Sequence, residues 1–139
     1  MSILVTGGLG RNNDDPEKTA EVITSQGTSK TCNIPDLPFR YAFHTQSDQT
    51  VCGGNFDGTT GSCYTLENGG WTQSYNLLDN GGTERTHLVS WKQNNQNVLL
   101  MGGAEDNAKS TTQRLQPRLP GSGLGDVQND FPLRYPANE

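Results

Sequence analysis

The sequence predicts an all-β protein built from repeated antiparallel sheets, and two observations support that prediction. A run of β-favouring residues ending in two glycines occurs three times, with the pairs at Gly7-Gly8, Gly53-Gly54 and Gly102-Gly103. Their spacing gives a period of about fifty residues, which is typical of repeat architectures. Elsewhere Thr, Val and Tyr alternate with turns of Gly, Asn and Asp, and no helical period of useful length appears.

The first unit, residues 1–38, contains three predicted strands. Residues 3–8 form the double-glycine strand, residues 19–25 form a β-branched second strand, and residues 31–34 form a short third one. Pro35 and Pro38 follow directly. Because proline cannot donate to a central ladder, this stretch is predicted to be a connection between units.

The next two units repeat one order of four strands. The second unit, residues 39–82, has predicted strands at 41–46, 50–54, 62–66 and 71–77. The third unit, residues 83–136, has predicted strands at 85–91, 98–103, 111–116 and 130–135, and a tail at 137–139 follows. We therefore predict two complete four-stranded antiparallel sheets and three strands of another. Such a sheet is the blade of a β-propeller, which gains stability by stacking on its neighbours.

The glycine pairs, together with Trp71 near the start of a later strand, resemble the kelch repeat, which has this period. An arginine opens each complete unit, Arg40 or Arg85, and a histidine follows it, His44 or His87. The order of these residues is similar to a kelch-type group of invertebrate proteins. The resemblance covers nearly the whole chain and implies a fold more than a function.

The chain departs from the kelch pattern in two respects. The first unit lacks its opening strand, and only the middle unit has a tryptophan at the matching place. Kelch propellers usually close a ring of about six or seven blades. The resemblance therefore implies a segment of a propeller, which requires further blades or self-association to close.

The resemblance also suggests structural roles for the repeated residues. Glycine at the end of each double-glycine strand permits a positive φ and a close approach of neighbouring backbones. Arg40 and Arg85 are expected to bond backbone carbonyls or a buried carboxylate between blades, with ligand binding as the alternative. His44 and His87 are expected to be hydrogen-bonded structural residues, because no Asp or Ser at a matching offset proposes a catalytic triad.

Cys52 and Cys63 flank the loop between two predicted neighbouring strands. A cross-strand disulfide is sterically reasonable there, and closing so short a loop would contribute about 3 kcal/mol. Two buried free thiols are the alternative. Cys32 is left as a buried thiol or as the partner of a cysteine elsewhere.

The redox state of the cysteines bears on localisation. A disulfide would place the protein outside the cell. Since no signal peptide is visible, that placement implies a longer precursor; a cytoplasmic protein with free thiols is the alternative.

The charge pattern limits the classes of partner. The net charge is -5, and the chain has no basic stripe and no apolar stretch of membrane-spanning length. Nucleic acid and membranes are therefore poor candidates. No cofactor and no metal site is predicted, because the cysteine and histidine spacing matches no zinc site and the Asn- and Asp-rich loops lack the spacing of a calcium loop.

We predict a non-catalytic binding or scaffold module that recognises a protein or glycan partner. Its contact surface would comprise the connecting loops at 9–18, 55–61, 104–110 and 117–129, because loops on a rigid scaffold carry recognition. One alternative is a galactose-oxidase-like enzyme whose catalytic residues lie outside this chain. Such an enzyme needs a cysteine and a tyrosine joined by a thioether bond. Cys63 and Tyr64 are not expected to form that pair, because neighbours on a strand face opposite ways. An intracellular kelch adaptor for a ubiquitin ligase is the other alternative.

Overall fold

The structure is a computed structural model that describes residues 2–8, 17–27, 29–30, 34–38, 41–56, 61–78, 85–93, 97–104 and 110–134. Within these ranges the chain is all-β, and no helix is long and apolar enough to cross a membrane. The strands are β1 (Ser2–Thr6), β2 (Ala20–Thr24), β3 (Ser29–Lys30), β4 (Tyr41–Ser47), β5 (Thr50–Phe56), β6 (Ser62–Glu67), β7 (Gly70–Asn76), β8 (Val89–Gln93), β9 (Asn97–Met101), β10 (Thr112–Leu115) and β11 (Val127–Asn129).

These strands form three antiparallel sheets, in each of which consecutive strands are neighbours. Sheet 1 contains β1 to β3, sheet 2 contains β4 to β7, and sheet 3 contains β8 to β11. The all-β class and the antiparallel pairing predicted from the sequence are confirmed. Each sheet lies within one of the three predicted units.

Three strands differ from their predicted bounds by more than two residues. The third strand is Ser29–Lys30 instead of 31–34, although residues 31–33 lie outside the described part of the chain. In sheet 3 the first strand begins at Val89 instead of Arg85. The preceding His87 has φ 56°, which interrupts the extended backbone.

The last strand is Val127–Asn129 instead of 130–135, of which residue 135 is not described. The segment after it still follows β10, through hydrogen bonds from the Asp130 amide to Thr112 and from the Leu133 amide to Ser110. Pro132 between them has no N–H to donate, so no regular ladder forms there.

Sheets 2 and 3 stack face to face. Because side chains alternate along a strand, each sheet directs one set of apolar residues into the space between them. The buried residues of this core are Cys52, Cys63, Tyr75, Leu77, Leu88, Leu100, Leu115 and Val127. Each leucine buried there stabilises the stack by about 1.5–3 kcal/mol.

The opposite face of sheet 2 is covered by the connection from sheet 1. Leu37 packs with Val51, and Tyr64 and Trp71 lie against them. The indole Nε1 of Trp71 donates to the Pro35 carbonyl at 2.9 Å, which fixes the connection on the sheet. As predicted, this proline-containing stretch forms no strand.

Candidate functional site

A groove lies between sheets 1 and 2, with a cavity volume of about 800 Å³. Its wall on sheet 1 comes from the first residues of β1 and the middle of β2, and its wall on sheet 2 comes from the β4–β5 turn and the facing parts of β5 and β6. The lining combines apolar, amide and hydroxyl side chains with one carboxylate: Ile3, Leu4, Val22, Ile34, Gln46, Asp48, Gln49, Thr50, Thr65 and Leu66.

Gln46 fixes the junction of the two sheets beside this groove. Its amide nitrogen donates to the Leu4 carbonyl at 2.9 Å and to the Asp48 carbonyl at 3.1 Å. Its side-chain oxygen accepts a hydrogen bond from Thr6 Oγ1 at 2.6 Å. With both polar atoms engaged, the Gln46 side chain is held in one orientation beside the groove.

His44 belongs to the same polar cluster. Its Nε2 lies 3.0 Å from Thr6 Oγ1, which is also the donor to Gln46. Burial lowers the pKa of His44, and a hydrogen bond with the Thr6 backbone opposes that effect. Burial therefore favours the neutral form of the imidazole, and the contacts of His44 join two sheets. This arrangement is that of a hydrogen-bonded structural histidine.

Hydroxyl groups form a connected row on sheet 2. Thr50 Oγ1 and Thr65 Oγ1 are 2.7 Å apart, and Thr65 donates to Ser74 Oγ at 2.8 Å. Ser74 in turn donates to the Cys63 carbonyl. By register Thr50 and Thr65 share the face of Cys52 and Cys63, so this row belongs to the side of sheet 2 that packs on sheet 3.

The charged groups near this end of the molecule are paired. Lys92 forms an ion pair with Asp48 at the β4–β5 turn. The Arg118 guanidinium binds the Glu67 carboxylate through two nitrogens, at 3.0 and 3.2 Å. These hydrogen bonds hold the pKa of Glu67 below its ordinary value. Each of these two ion pairs is neutral overall.

The Arg118–Glu67 pair also fixes the loop between β10 and β11. Arg118 Nε donates to the Gly123 carbonyl at 2.9 Å, and the Gly125 amide donates to Ser74 at 2.7 Å. Leu119 and Leu124 remain largely exposed on this loop. The loop thus presents apolar side chains from a backbone that is tied to sheet 2.

Three of the four loops expected to form the contact surface, at 9–18, 55–61 and 104–110, lie mostly outside the described part of the chain. The fourth, expected at 117–129, is described, and its residues 117–126 lie between β10 and β11.

The six paired glycines all have positive φ, from 59° at Gly7 to 101° at Gly8. At Gly53 a Cβ atom would lie 2.6 Å from both the Arg85 carbonyl oxygen and Leu88 Cδ2. The Gly54 amide donates to that same Arg85 carbonyl at 3.0 Å. Gly53 and Gly54 therefore lie where the segment before β8 approaches β5.

Arg85 lies in the interior next to the third glycine pair. Its Nη1 donates to the carbonyls of Gly102 at 2.8 Å and Thr111 at 3.1 Å, and its Nη2 donates to the Gln113 side chain. Burial lowers the pKa of Arg85 to about 10. Arg40, its expected counterpart in the second unit, lies outside the described residues.

Cys52 and Cys63 are directly opposite each other in the β5–β6 ladder, with their sulfur atoms 2.11 Å apart. The sequence prediction that these two cysteines are close enough for a disulfide is confirmed. Cys63 belongs to the core between sheets 2 and 3, whereas Tyr64 packs on the opposite face of sheet 2. The two neighbours therefore diverge, as the alternation of side chains on a strand requires.

His87 lies away from the groove. Its ring stacks on Phe43 with the centroids 4.2 Å apart, and Thr86 Oγ1 lies 2.9 Å from its Nδ1. The structure therefore does not bring His44 and His87 into one site. In the described ranges, no three His, Cys, Asp or Glu side chains are grouped so as to hold a metal ion.

Sequence reasoning missed Gln46, Gln113 and the Arg118–Glu67 pair. Each is a polar residue within or beside a strand, and its sequence position resembles that of an ordinary solvated side chain. The signal that was present is weak: Gln46 shares one face of the predicted strand with Ala42 and His44.

A comparison with protein-family models gives no match, and no curated protein matches the chain.

Proposed function

We propose that the chain is a segment of a kelch-type β-propeller that serves as a non-catalytic binding module for a protein or glycan partner. The blade assignment is supported by the sequential antiparallel order of each sheet and by the stacking of sheet 3 on sheet 2. The recurrence of a glycine pair with positive φ at the same position in each of the three units also supports it.

The groove between sheets 1 and 2 is the observation that carries the binding function. Its lining combines side-chain amides and hydroxyls with Ile3, Leu4 and Val22, and its one carboxylate is paired with Lys92. Pockets that combine apolar surface with a few fixed polar groups suit ligands with apolar faces and neutral hydrogen-bonding groups. Peptide backbones and sugar rings both have this chemistry.

The groove also suits recognition because its shape is set before a ligand arrives. Gln46 is engaged at both ends of its amide. The free-energy cost of ordering the site on ligand binding would therefore be small. Gln49 is exposed at the β4–β5 turn, where it lines the groove. Its side chain can therefore be substituted without disturbing the core.

Two probes distinguish the two kinds of partner. Selection from a phage-displayed peptide library tests for a protein partner, and a printed array of neutral oligosaccharides tests for a glycan partner.

A Gln49→Trp variant would fill the groove and is expected to abolish the selected binding. Gln128→Trp is the matched control, because Gln128 is exposed on β11 away from the groove. Binding that survives Gln49→Trp, or no binding in either arm, would contradict the proposal.

We further propose an extracellular location, supported by the placement of Cys52 and Cys63 at disulfide distance. Intact protein carrying three reactive thiols when purified under native redox conditions would instead favour the cytoplasmic alternative.

A further inference from the structure

Sheets 1 and 3 can be compared residue by residue, because in both the strand that ends in a glycine pair is paired in the same way with the strand after it. Counting outward from the glycines gives three pairs of corresponding residues, which are Gly7 with Gly102, Thr19 with Thr111, and Glu21 with Gln113. This correspondence allows the chemistry at a position in one sheet to be inferred from the other sheet.

The backbone at these positions has the same local geometry in both sheets. The Gly7 amide donates to the Thr19 carbonyl at 2.9 Å, and the Gly102 amide donates to the Thr111 carbonyl, also at 2.9 Å. Gly7 has φ 59° and Gly102 has φ 65°. The carbonyl groups of corresponding residues are therefore oriented alike relative to their strands.

In sheet 3 these positions bind a guanidinium group. Arg85, in the segment before β8, donates from Nη1 to the carbonyls of Gly102 and Thr111. Its Nη2 donates to the side-chain oxygen of Gln113. A guanidinium suits this set of acceptors because it is planar and presents its N–H donors in a rigid fork. Two carbonyls and one side-chain oxygen thus form a guanidinium site in this fold.

Sheet 1 has the same set of positions, with a carboxylate in place of the amide. Glu21 stands where sheet 3 has Gln113, and Gly7 and Thr19 supply the two carbonyls. Hydrogen bonds between a guanidinium and a carboxylate are about twice as strong as those between neutral groups. Glu21 makes an interaction of its own in the structure. A carboxylate has about four acceptor positions, so that interaction leaves capacity for a guanidinium.

The positions in sheet 1 are accessible to solvent, whereas those in sheet 3 are enclosed. Arg85 and Gln113 are both 0% exposed. In contrast, Thr19 is exposed, and Gly7 and Glu21 are partly exposed. In the part of the chain that the structure describes, no strand lies beside β1 in the place that β8 takes beside β9. A group from solution can therefore reach the acceptors of sheet 1.

We propose that Gly7, Thr19 and Glu21 form a binding site for a guanidinium group from outside the chain, in the form of an arginine side chain of a partner protein. The carbonyls accept from one nitrogen of the fork and the Glu21 carboxylate accepts from the other, as the corresponding groups of sheet 3 do for Arg85. The net charge of -5 favours the approach of a cationic partner.

This site is separate from the groove. Glu21 pairs with Val5, and the next pair along the ladder is Leu4 with Val22. Because neighbours on a strand face opposite ways, Glu21 lies on the other face of sheet 1 from Leu4 and Val22, which line the groove. The inference therefore does not rest on the groove or on its ligand.

Titration of the isotope-labelled 139-residue chain with the blocked peptide acetyl-Ala-Arg-Ala-amide at low ionic strength tests the site by NMR. Saturable shifts should concentrate at the amide signals of Gly7, Gly8, Ala20 and Glu21. The same peptide with citrulline has a neutral urea of the same shape and should not bind measurably. The lysine peptide should bind several-fold more weakly than the arginine peptide, because an ammonium lacks the planar fork.

Glu21→Gln places at this position the amide that Gln113 provides in sheet 3, so we expect the variant to fold, and its amide spectrum checks this. It should bind the arginine peptide about tenfold more weakly, because a charge-assisted hydrogen bond becomes a neutral one. Asp126→Asn is the matched control. Asp126 is exposed between β10 and β11, and the substitution removes the same charge; this variant should bind like the parent chain.

Absence of saturable shifts in the parent chain, or shifts centred away from Gly7 and Glu21, would overturn the proposal. Equal binding of the citrulline or lysine peptide would also overturn it, since recognition would then not depend on the guanidinium fork. That comparison uses the parent chain, so it does not require any variant to fold. Unchanged binding by Glu21→Gln, or an equal loss in Asp126→Asn, would likewise show that the Glu21 carboxylate has no specific part in binding.

Discussion

Arg85 donates a hydrogen bond from Nη2 to the side-chain oxygen of Gln113, and both residues are completely shielded from solvent. Gln113 Nε2 in turn donates to the Leu77 carbonyl at 2.8 Å. The chain of contacts joins the segment before β8, the strand β10 and the end of sheet 2. In the described residues, the groups that accept hydrogen bonds from the Arg85 guanidinium are all neutral. Dipoles therefore stabilise this buried cation, which is consistent with its lowered pKa.

Arg85→Met should therefore destabilise the protein. The substitution preserves most of the side-chain volume but leaves the Gly102 carbonyl and the side-chain oxygen of Gln113 without this donor. We expect the free energy of unfolding to fall by about 2–3 kcal/mol, since each unsatisfied buried acceptor costs on the order of 1–3 kcal/mol and removal of the buried charge offsets part of that loss.

Urea unfolding measures the effect, and Lys92→Met is its control. Lys92 forms an exposed ion pair with Asp48, and such pairs contribute less than about 1 kcal/mol. Equal losses in the two variants would show that the Arg85 contacts do not stabilise the stack.

Gly53→Ala tests the close approach at the crossing of sheets 2 and 3. The new Cβ would be 2.6 Å from the Arg85 carbonyl oxygen, on a residue with φ 68°. Strain and overpacking together should cost about 3 kcal/mol or more. Gly69→Ala is the matched control, because Gly69 has φ 77° but no atom within 4 Å of an added Cβ.

The Gly69 variant should lose only about 1 kcal/mol, the backbone strain alone. The difference between the two melting curves then isolates the contact with Arg85. If both variants melt at the same temperature, the proximity of the backbones at Gly53 contributes nothing.

The glycine pairs show what the sequence could predict. Their period identified the repeat, and the alternation around Cys52 placed it beside Cys63 on neighbouring strands. Local patterns of this kind are visible because they recur within a few residues. The sequence did not reveal that Gln113 accepts from Arg85, because the two residues meet only when sheet 3 is assembled.

The groove was also invisible to sequence reasoning. It forms between β1–β2 and β4–β6, and its size depends on how two sheets are placed, which no single strand encodes.

The strand predicted at 130–135 does not form among the described residues, for a local reason. Its aromatic and apolar residues suggest a strand, but Pro132 interrupts the donors that a ladder requires.

The Cys52–Cys63 pair should be oxidised in the native protein. The denatured chain is then expected to contain one reactive thiol, that of Cys32, by reaction with a thiol-specific reagent. Replacing both paired cysteines with alanine should lower the free energy of unfolding by about 3 kcal/mol, the value expected for a loop of this length. Cys32→Ser is the control and should leave the pair oxidised. Three reactive thiols in the parent chain would contradict this expectation.

His44 should make stability depend on pH just below neutrality. Burial holds its folded-state pKa below the ordinary value, so on acidification the unfolded chain binds a proton before the folded chain does. The free energy of unfolding should therefore fall as the pH drops below about 6.5 and level off once the pH passes below the folded-state pKa. Urea unfolding between about pH 7 and pH 5 measures this slope.

His44→Gln removes the titrating group while keeping an amide that can bond Thr6. It should lose the slope in this range, whereas His87→Gln should retain it. The carboxyls of Glu67 and Asp130, whose pKa values are lowered by Arg118 and Arg114, lose their contribution only at lower pH, so they do not obscure the comparison. An unchanged slope in His44→Gln would show that the Thr6–His44–Gln46 junction is indifferent to the charge of the imidazole.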